Sequence, residues 1–177
     1  MNNLTVKNHL RFTEREREHF SDPVQTAQWL LGKVICRKLP GGEVVRLYIT
    51  ETEAYEHDDE SCYGHDGKKT KANSPLFEQS GTCCVFGGML LISCGEKNKA
   101  DNVLIRSAGN ERTYYDGPFK IYKGLQLGKE LSGIDLLNNR DMWLEYPAEE
   151  KPCCKISRVG LSKNRRGSNL NHRFIIL

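Results

Sequence analysis

The twelve residues Val44–Tyr55 read as one long strand, and this strand constrains the fold more than any other stretch of the chain. Side chains on a strand alternate between faces, so Val45, Leu47 and Ile49 form one row that continues into Glu51, Glu53 and Tyr55. An apolar row running into two carboxylates places the acids at a half-buried core margin, where surroundings raise a carboxylate's proton affinity. Upstream, residues 34–36 read as a partner strand, and Leu39-Pro40-Gly41-Gly42 has the Pro-Gly order of a type II turn, which makes a hairpin. A helix over 21–32 precedes it. Asp22 can cap that helix, Pro23 suits its first turn, Gln25 sits at the capping-box position and Gly32 can end it; Val24, Ala27 and Leu31 share the inward face.

Residues 56–80 form a polar connection longer than most in a compact domain, and loops of that length tend to be functional. Strands follow at 82–86, 89–94 and 103–106, a short helix near Gly117-Pro118 holds Ile121 and Leu125 inward, and closing strands lie at 154–161 and 174–176. Strands outnumber helices and are mostly joined as hairpins. The expected fold class is therefore α+β, with a curved, mostly antiparallel β-sheet core and flanking short helices. No repeat, linker or low-complexity tract divides the chain, so 1–177 is expected to be one domain, with 1–19 as a loosely attached N-terminal arm.

Charge narrows the partner. From Lys151 onward there are seven basic residues and no acidic one, so this segment carries +7 while the rest of the chain carries −4. Concentrated cations release counterions from phosphates, which points to nucleic acid, although basic terminal segments are also often plain solvated surface. Apolar stretches such as 89–92 are far too short to span a bilayer, and the first residues lack the pattern of a secretory signal. A cytoplasmic location, nucleoid-associated in a bacterium, is expected, with the seven cysteines as thiols. Two of their pairs are adjacent and none is spaced C-x-x-C, which suits neither a disulfide framework nor a zinc ribbon.

Glu53 with Tyr55, His65 in the long loop and Arg106 at the end of Val103-Leu104-Ile105 supply a base, an aromatic platform, a titrating group and a fixed cation. The set suits hydrolysis of a polar ligand. A Glu and an Arg ending apolar strands are, however, more often a structural ion pair, and a loop His is most often surface. His57, Asp58, Asp59, Glu60, Cys62 and His65 crowd together, but their irregular spacing matches neither zinc nor calcium sites, so no metal is expected. With no G-x-G-x-x-G, P-loop or G-x-S-x-G present, no cofactor and no serine nucleophile are expected.

Leu30-Leu31-Gly32-Lys33-Val34, Glu51-Thr52-Glu53-Ala54-Tyr55, His65, Gly81-Thr82, Val103-Leu104-Ile105-Arg106, Gly117-Pro118, Trp143-Leu144-Glu145 and Arg158-Val159-Gly160 occur in an order and spacing similar to the alkyladenine (3-methyladenine) DNA glycosylase family. The resemblance runs from about residue 20 to 174. It implies a monofunctional enzyme that flips an alkylated purine out of double-stranded DNA and hydrolyses its bond to deoxyribose, leaving an abasic site and needing no covalent lysine. Glu53 then resembles the general base and Arg106 the group that helps hold water and backbone. Tyr55 and His65 resemble opposing walls of the base pocket, and the basic C-terminal segment supplies Lys163, Arg165, Arg166 and Arg158 as the expected DNA-binding residues. A cationic base stacks well on tyrosine and leaves readily, so one activated water suffices.

The chain departs from the family pattern in three places. Where the family carries a Y-V-Y-x-x-Y-G run whose last tyrosine is the wedge, this chain reads Cys84-Val85-Phe86-Gly87-Gly88, two residues shorter. Phe86 then stands for one pocket aromatic and Cys94 for the usual pocket asparagine, while Thr70-Lys71-Ala72-Asn73 replaces T-x-R-N. A damaged-DNA-binding module with little or no turnover is the alternative, and a hydrolase of free nucleosides is a third reading. A monomer is expected.

Overall fold

A computed structural model describes residues 10–147 and 153–176. Among these, nine strands form one curled antiparallel sheet: β1 Val34–Lys38, β2 Val44–Tyr55, β3 Cys83–Phe86, β4 Met89–Ser93, β5 Asn102–Gly109, β6 Tyr114–Asp116, β7 Met142–Glu145, β8 Cys153–Ile156 and β9 Arg173–Ile176. The main path runs β3-β4-β5-β2-β1-β7, with β6 on β5 and the β8–β9 pair attached to β2. Every pairing is antiparallel. Two α-helices, α1 Pro23–Leu30 and α2 Pro118–Gly124, and four short 3-10 turns complete the fold.

Helix α1 starts as its sequence dictates: Asp22 accepts from the Gln25 N–H at 2.8 Å, and Pro23 fills the first position, where no N–H is needed. It ends one residue earlier than expected, because Leu31 is already extended and the Gly32 N–H donates to Ile49 of β2. The buried face therefore shifts to Pro23, Thr26, Ala27 and Leu30, with the Thr26 hydroxyl donating to the His19 and Asp22 carbonyls. The β1–β2 turn also differs from the type II expectation. Its positive φ falls at Gly42, not Gly41, which is a type I turn closed by a bulge residue.

Of the segment expected to be a loose arm, 1–9 lie outside the described residues, whereas the chain from Leu10 onward is packed. Thr13 and Glu16 form a reciprocal capping box on the 3-10 turn Glu14–Phe20, and Phe12 and Phe20 are buried in the main core. That core lies between one sheet face and the two helices, around Leu47, Ile49, Ile92, Ile105, Ile121 and Leu125. A second apolar cluster, Tyr55, Cys62, Leu76, Phe77, Cys84, Leu91, Ala100 and Leu104, forms under the 56–80 connection, which folds into 3-10 turns at His65–Gly67 and Ser74–Phe77. The strand expected at 154–161 stops at Ile156. Among the described residues no helix is long and apolar enough to cross a membrane.

Candidate active site

The two clusters lie on opposite sheet faces, and β2 serves both because its alternation is interrupted. Its register with β5 shifts between Ile49 and Thr52: Ile49 pairs with Ala108, Glu51 with Ser107 and Thr52 with Ile105. β2 has one residue extra between Ile49 and Glu51, and β5 has one extra between Ser107 and Ile105, so the net register is unchanged while the alternation reverses in both strands. Leu47 and Ile49 face the helices, and past the bulge Thr52 and Ala54 do so, with the Thr52 hydroxyl donating to the Ala27 carbonyl of α1 at 2.7 Å. Glu53 and Tyr55 therefore point to the other face, with Leu104 and Arg106 of β5. The acids do not continue the Leu47–Ile49 row, and Glu53 is fully buried where the sequence suggested a half-buried margin.

Three donors fix the Glu53 carboxylate. Oε2 accepts from the Tyr55 hydroxyl at 2.8 Å and from Arg106 Nη1 at 3.4 Å, and Oε1 accepts from the Val159 backbone N–H at 3.0 Å. Arg106 is itself held by Glu51, whose Oε1 accepts from Arg106 Nε at 3.1 Å and from Arg173 Nε, while Oε2 accepts from the Ser107 hydroxyl. Burial first, and then the Glu53 charge, push the Tyr55 phenol well above its ordinary range, so it stays a neutral donor. Glu53, Tyr55 and Arg106 thus come together as the sequence suggested. The Val159 N–H is a member that no side-chain pattern could announce.

His65 makes none of these hydrogen bonds: its Nε2 lies 3.0 Å from its neighbour Asp66, and its Nδ1 is buried without a partner. Tyr63 lies by the β3–β4 hairpin: its ring packs on Phe86 at 4.6 Å, and its hydroxyl lies 4.0 Å from Met89 Sδ. Burial raises the Tyr63 phenol, Arg165 draws it down and Glu53 pushes it up, so both charges reach this ring. Cys94 is buried in the main core on the far face, where desolvation pushes its thiol up. Arg158 is no surface cation: it is 6% exposed, with Nη1 donating to the Ala54 carbonyl and pairing with Asp59, Nη2 donating to the Gly167 carbonyl, and the guanidinium 4.6 Å from the Tyr55 ring centre. Lys163, Arg165 and Arg166 are exposed on the loop that Arg158 anchors, and the Arg166 N–H donates to Glu60 at 2.9 Å.

The Glu53 side chain is fully buried. A surface hollow of about 540 Å³ along Glu43–Tyr48 and Asn110–Thr113 contains none of the Glu53 group. Among the described residues no group of three or more His, Cys, Asp or Glu side chains could hold a metal. The arrangement holds an oriented carboxylate beneath aromatic side chains, beside an exposed cationic loop. It has the parts for activating a water against a polar, planar ligand.

The sequence model of the Methylpurine-DNA glycosylase (MPG) family matches residues 18–177. A protein of Chlorobium luteolum named "Putative 3-methyladenine DNA glycosylase" is 31% identical over 176 residues, covering 86% of this chain and 89% of that protein. A Borreliella afzelii protein of the same name is 30% identical over 137 residues, 70% of this chain and 73% of its own length. The human DNA-3-methyladenine glycosylase is 28% identical over 187 residues, covering 88% of this chain and 62% of that protein. The chain belongs to the methylpurine-DNA glycosylase family.

Proposed function

We propose that this chain is a monofunctional DNA glycosylase that hydrolyses the N-glycosidic bond of alkylated purines of the 3-methyladenine type, flipped out of duplex DNA, and leaves an abasic site. The observation that carries the reading is the buried Glu53 carboxylate, aimed by Tyr55, Arg106 and the Val159 N–H from one end of the aromatic group Tyr55, Tyr63 and Phe86. A carboxylate offers about four acceptor directions. Three are used by protein donors, and the fourth can accept a water proton. As the water oxygen bonds to the sugar carbon, the proton passes to Glu53, and the carbon–nitrogen bond breaks with its electron pair going to the base. A ring-alkylated purine is cationic before that step and neutral after it, so it departs without an acid, and the tyrosine faces favour it while it is charged.

Arg106 holds Glu53 and Glu51 together and fixes the direction of attack. Tyr63 joins Tyr55 and His65 as a wall of the base pocket in this reading, and Cys94, in the main core, has no part in it. Lys163, Arg165 and Arg166 meet phosphate, while Arg158 acts from below by anchoring their loop. All these groups come from one chain, so a monomer suffices. The non-catalytic module is not favoured, since the water-activating group is assembled.

The test is release of base from methylated duplex DNA, read as alkali-labile sites. The wild type should produce them, and Glu53→Gln should produce essentially none while binding damaged duplex within about tenfold. Base release by Glu53→Gln at the wild-type rate, or none by the wild type, refutes the assignment.

A further inference from the structure

Flipping a nucleotide leaves a gap in the base stack, and proteins that kink or open DNA commonly fill such gaps with an apolar side chain. We propose that Phe119, at the start of α2, is that side chain in this protein; the proposal rests on the glycosylase reading above. The β3–β4 hairpin closes through Gly87 and Gly88, both at positive φ (57° and 76°), between the paired residues Phe86 and Met89. A two-residue turn of this kind needs φ > 0 at both positions, which glycine supplies without strain, and it leaves the hairpin tip with no side chain of its own. Phe119 occupies that space. A Cβ built on Gly88 would lie 2.9 Å from Phe119 Cδ1 and 3.1 Å from Cε1, so the ring rests where a tip side chain would project.

The ring is 59% exposed although wholly apolar. It does not stand alone. On the other side of the tip, Met89 is partly buried, and Tyr63, 44% exposed, reaches Met89 with its hydroxyl and Phe86 with its ring. Arg165 lies within electrostatic reach of Tyr63, on the loop that also carries exposed Lys163 and Arg166. The hairpin tip thus carries apolar side chains on both sides, Phe119 on the side of α2 and Met89 with Tyr63 on the side of Glu53, where the exposed cations also lie; this suits the stacked bases and phosphates of a duplex better than a neutral partner.

The position relative to Glu53 also fits. Leu104 of β5 pairs with Glu53 on one side and Leu91 of β4 on the other. The tip is therefore about two strand spacings, roughly 10 Å, across the sheet and about three residues, roughly 10 Å, along β4 from the carboxylate. That offset separates the reacting base from the stack it has left while keeping both on one molecule.

The assay compares one alkylated purine in a paired duplex with the same base in single-stranded DNA, which needs no gap filled. Phe119→Ala should lower the duplex-to-single-strand rate ratio on the order of ten- to a hundred-fold, the equivalent of one lost base–aromatic stack, and Phe119→Trp should restore it. In the Glu53→Gln background, 2-aminopurine beside the lesion should brighten on binding, and Phe119→Ala should remove that rise. An unchanged ratio with unchanged fluorescence overturns the proposal, as does an equal loss on both substrates, which is the mark of a purely structural residue. A shift in sedimentation on Phe119→Ala without a change in the ratio would assign the tip to self-association and overturn the proposal as well. Absence of base release by the wild type on every substrate would instead refute the glycosylase reading, and the fluorescence comparison would still decide the role of Phe119.

Discussion

Asp59→Asn should destabilise the protein by about 3 kcal/mol, near the lower end of the roughly 3–5 kcal/mol for breaking a buried ion pair from one side. Both side chains are out of solvent, at 3% for Asp59 and 0% for Arg158, so water does not screen the pair. Asparagine can keep the bond that Asp59 Oδ1 accepts from the Ser61 N–H at 2.8 Å. Its amide group then faces Arg158 Nη1, donor against donor, where Oδ2 now pairs. Arg158 retains the Ala54 and Gly167 carbonyls and the Tyr55 ring, which keeps the loss from reaching the upper end. At about 2–4 °C per kcal/mol for a chain of this size, the melting temperature should fall by roughly 6–12 °C. Urea unfolding at neutral pH measures the free energy directly. The same reasoning says that Arg158→Met leaves the slope of log affinity against log salt unchanged, because the guanidinium meets no phosphate. A loss below about 1 kcal/mol in Asp59→Asn, or a slope reduced by about one in Arg158→Met, would show that Arg158 works at the DNA surface.

Replacing Lys163, Arg165 and Arg166 together by alanine should reduce that salt slope by up to about three and weaken binding to undamaged and damaged duplex alike, as read by fluorescence anisotropy over a salt series. Glu56 gives a pH test. Burial, and then the charges of Asp58, Asp22 and Asp101, raise its pKa above 4.5, so its ionisation opposes folding; that opposition is absent at low pH and grows as pH rises through the folded value. Glu56→Gln should therefore raise the melting temperature at pH 7 and lose its advantage below the unfolded value of 4.5; an equal gain at both ends would mean the charge is not the cause.

What could be read from the chain was local in origin. The cap at Asp22, the hairpin of β1 and β2, the strands β3 to β5 and the inward Ile121 and Leu125 of α2 follow from signals within a few residues. So does the pairing of Glu53 with Arg106 as candidates, since each ends an apolar run. The irregularity in β2 was invisible because Ile49-Thr50-Glu51-Thr52 alternates without a break; only the pairing of Glu51 with Ser107, between Ile49–Ala108 and Thr52–Ile105, reveals it. Tyr63 gave no signal of its own because the conformation of 56–80 is set by distant contacts, among them Asn73 Nδ2 donating to the Tyr63 carbonyl and the Asp59–Arg158 pair. Counting charges placed Arg158 on the surface, since composition carries no information on depth. The 3-10 turn Glu14–Phe20 was missed because its charged residues show no helical stripe, and β6 because three residues are too few for a pattern.

The extra residue in β2 also makes the chain unequally tolerant of length changes. Removing or adding a single amino acid between Ile49 and Glu53 would rotate everything beyond it by half a period, sending the carboxylate toward Ala27 of α1 and Thr52 toward Arg106, even though every side chain of the Glu53 group would still be encoded. Inheritance of the Glu53 cluster therefore depends on spacing at this point as strictly as on the identity of its members.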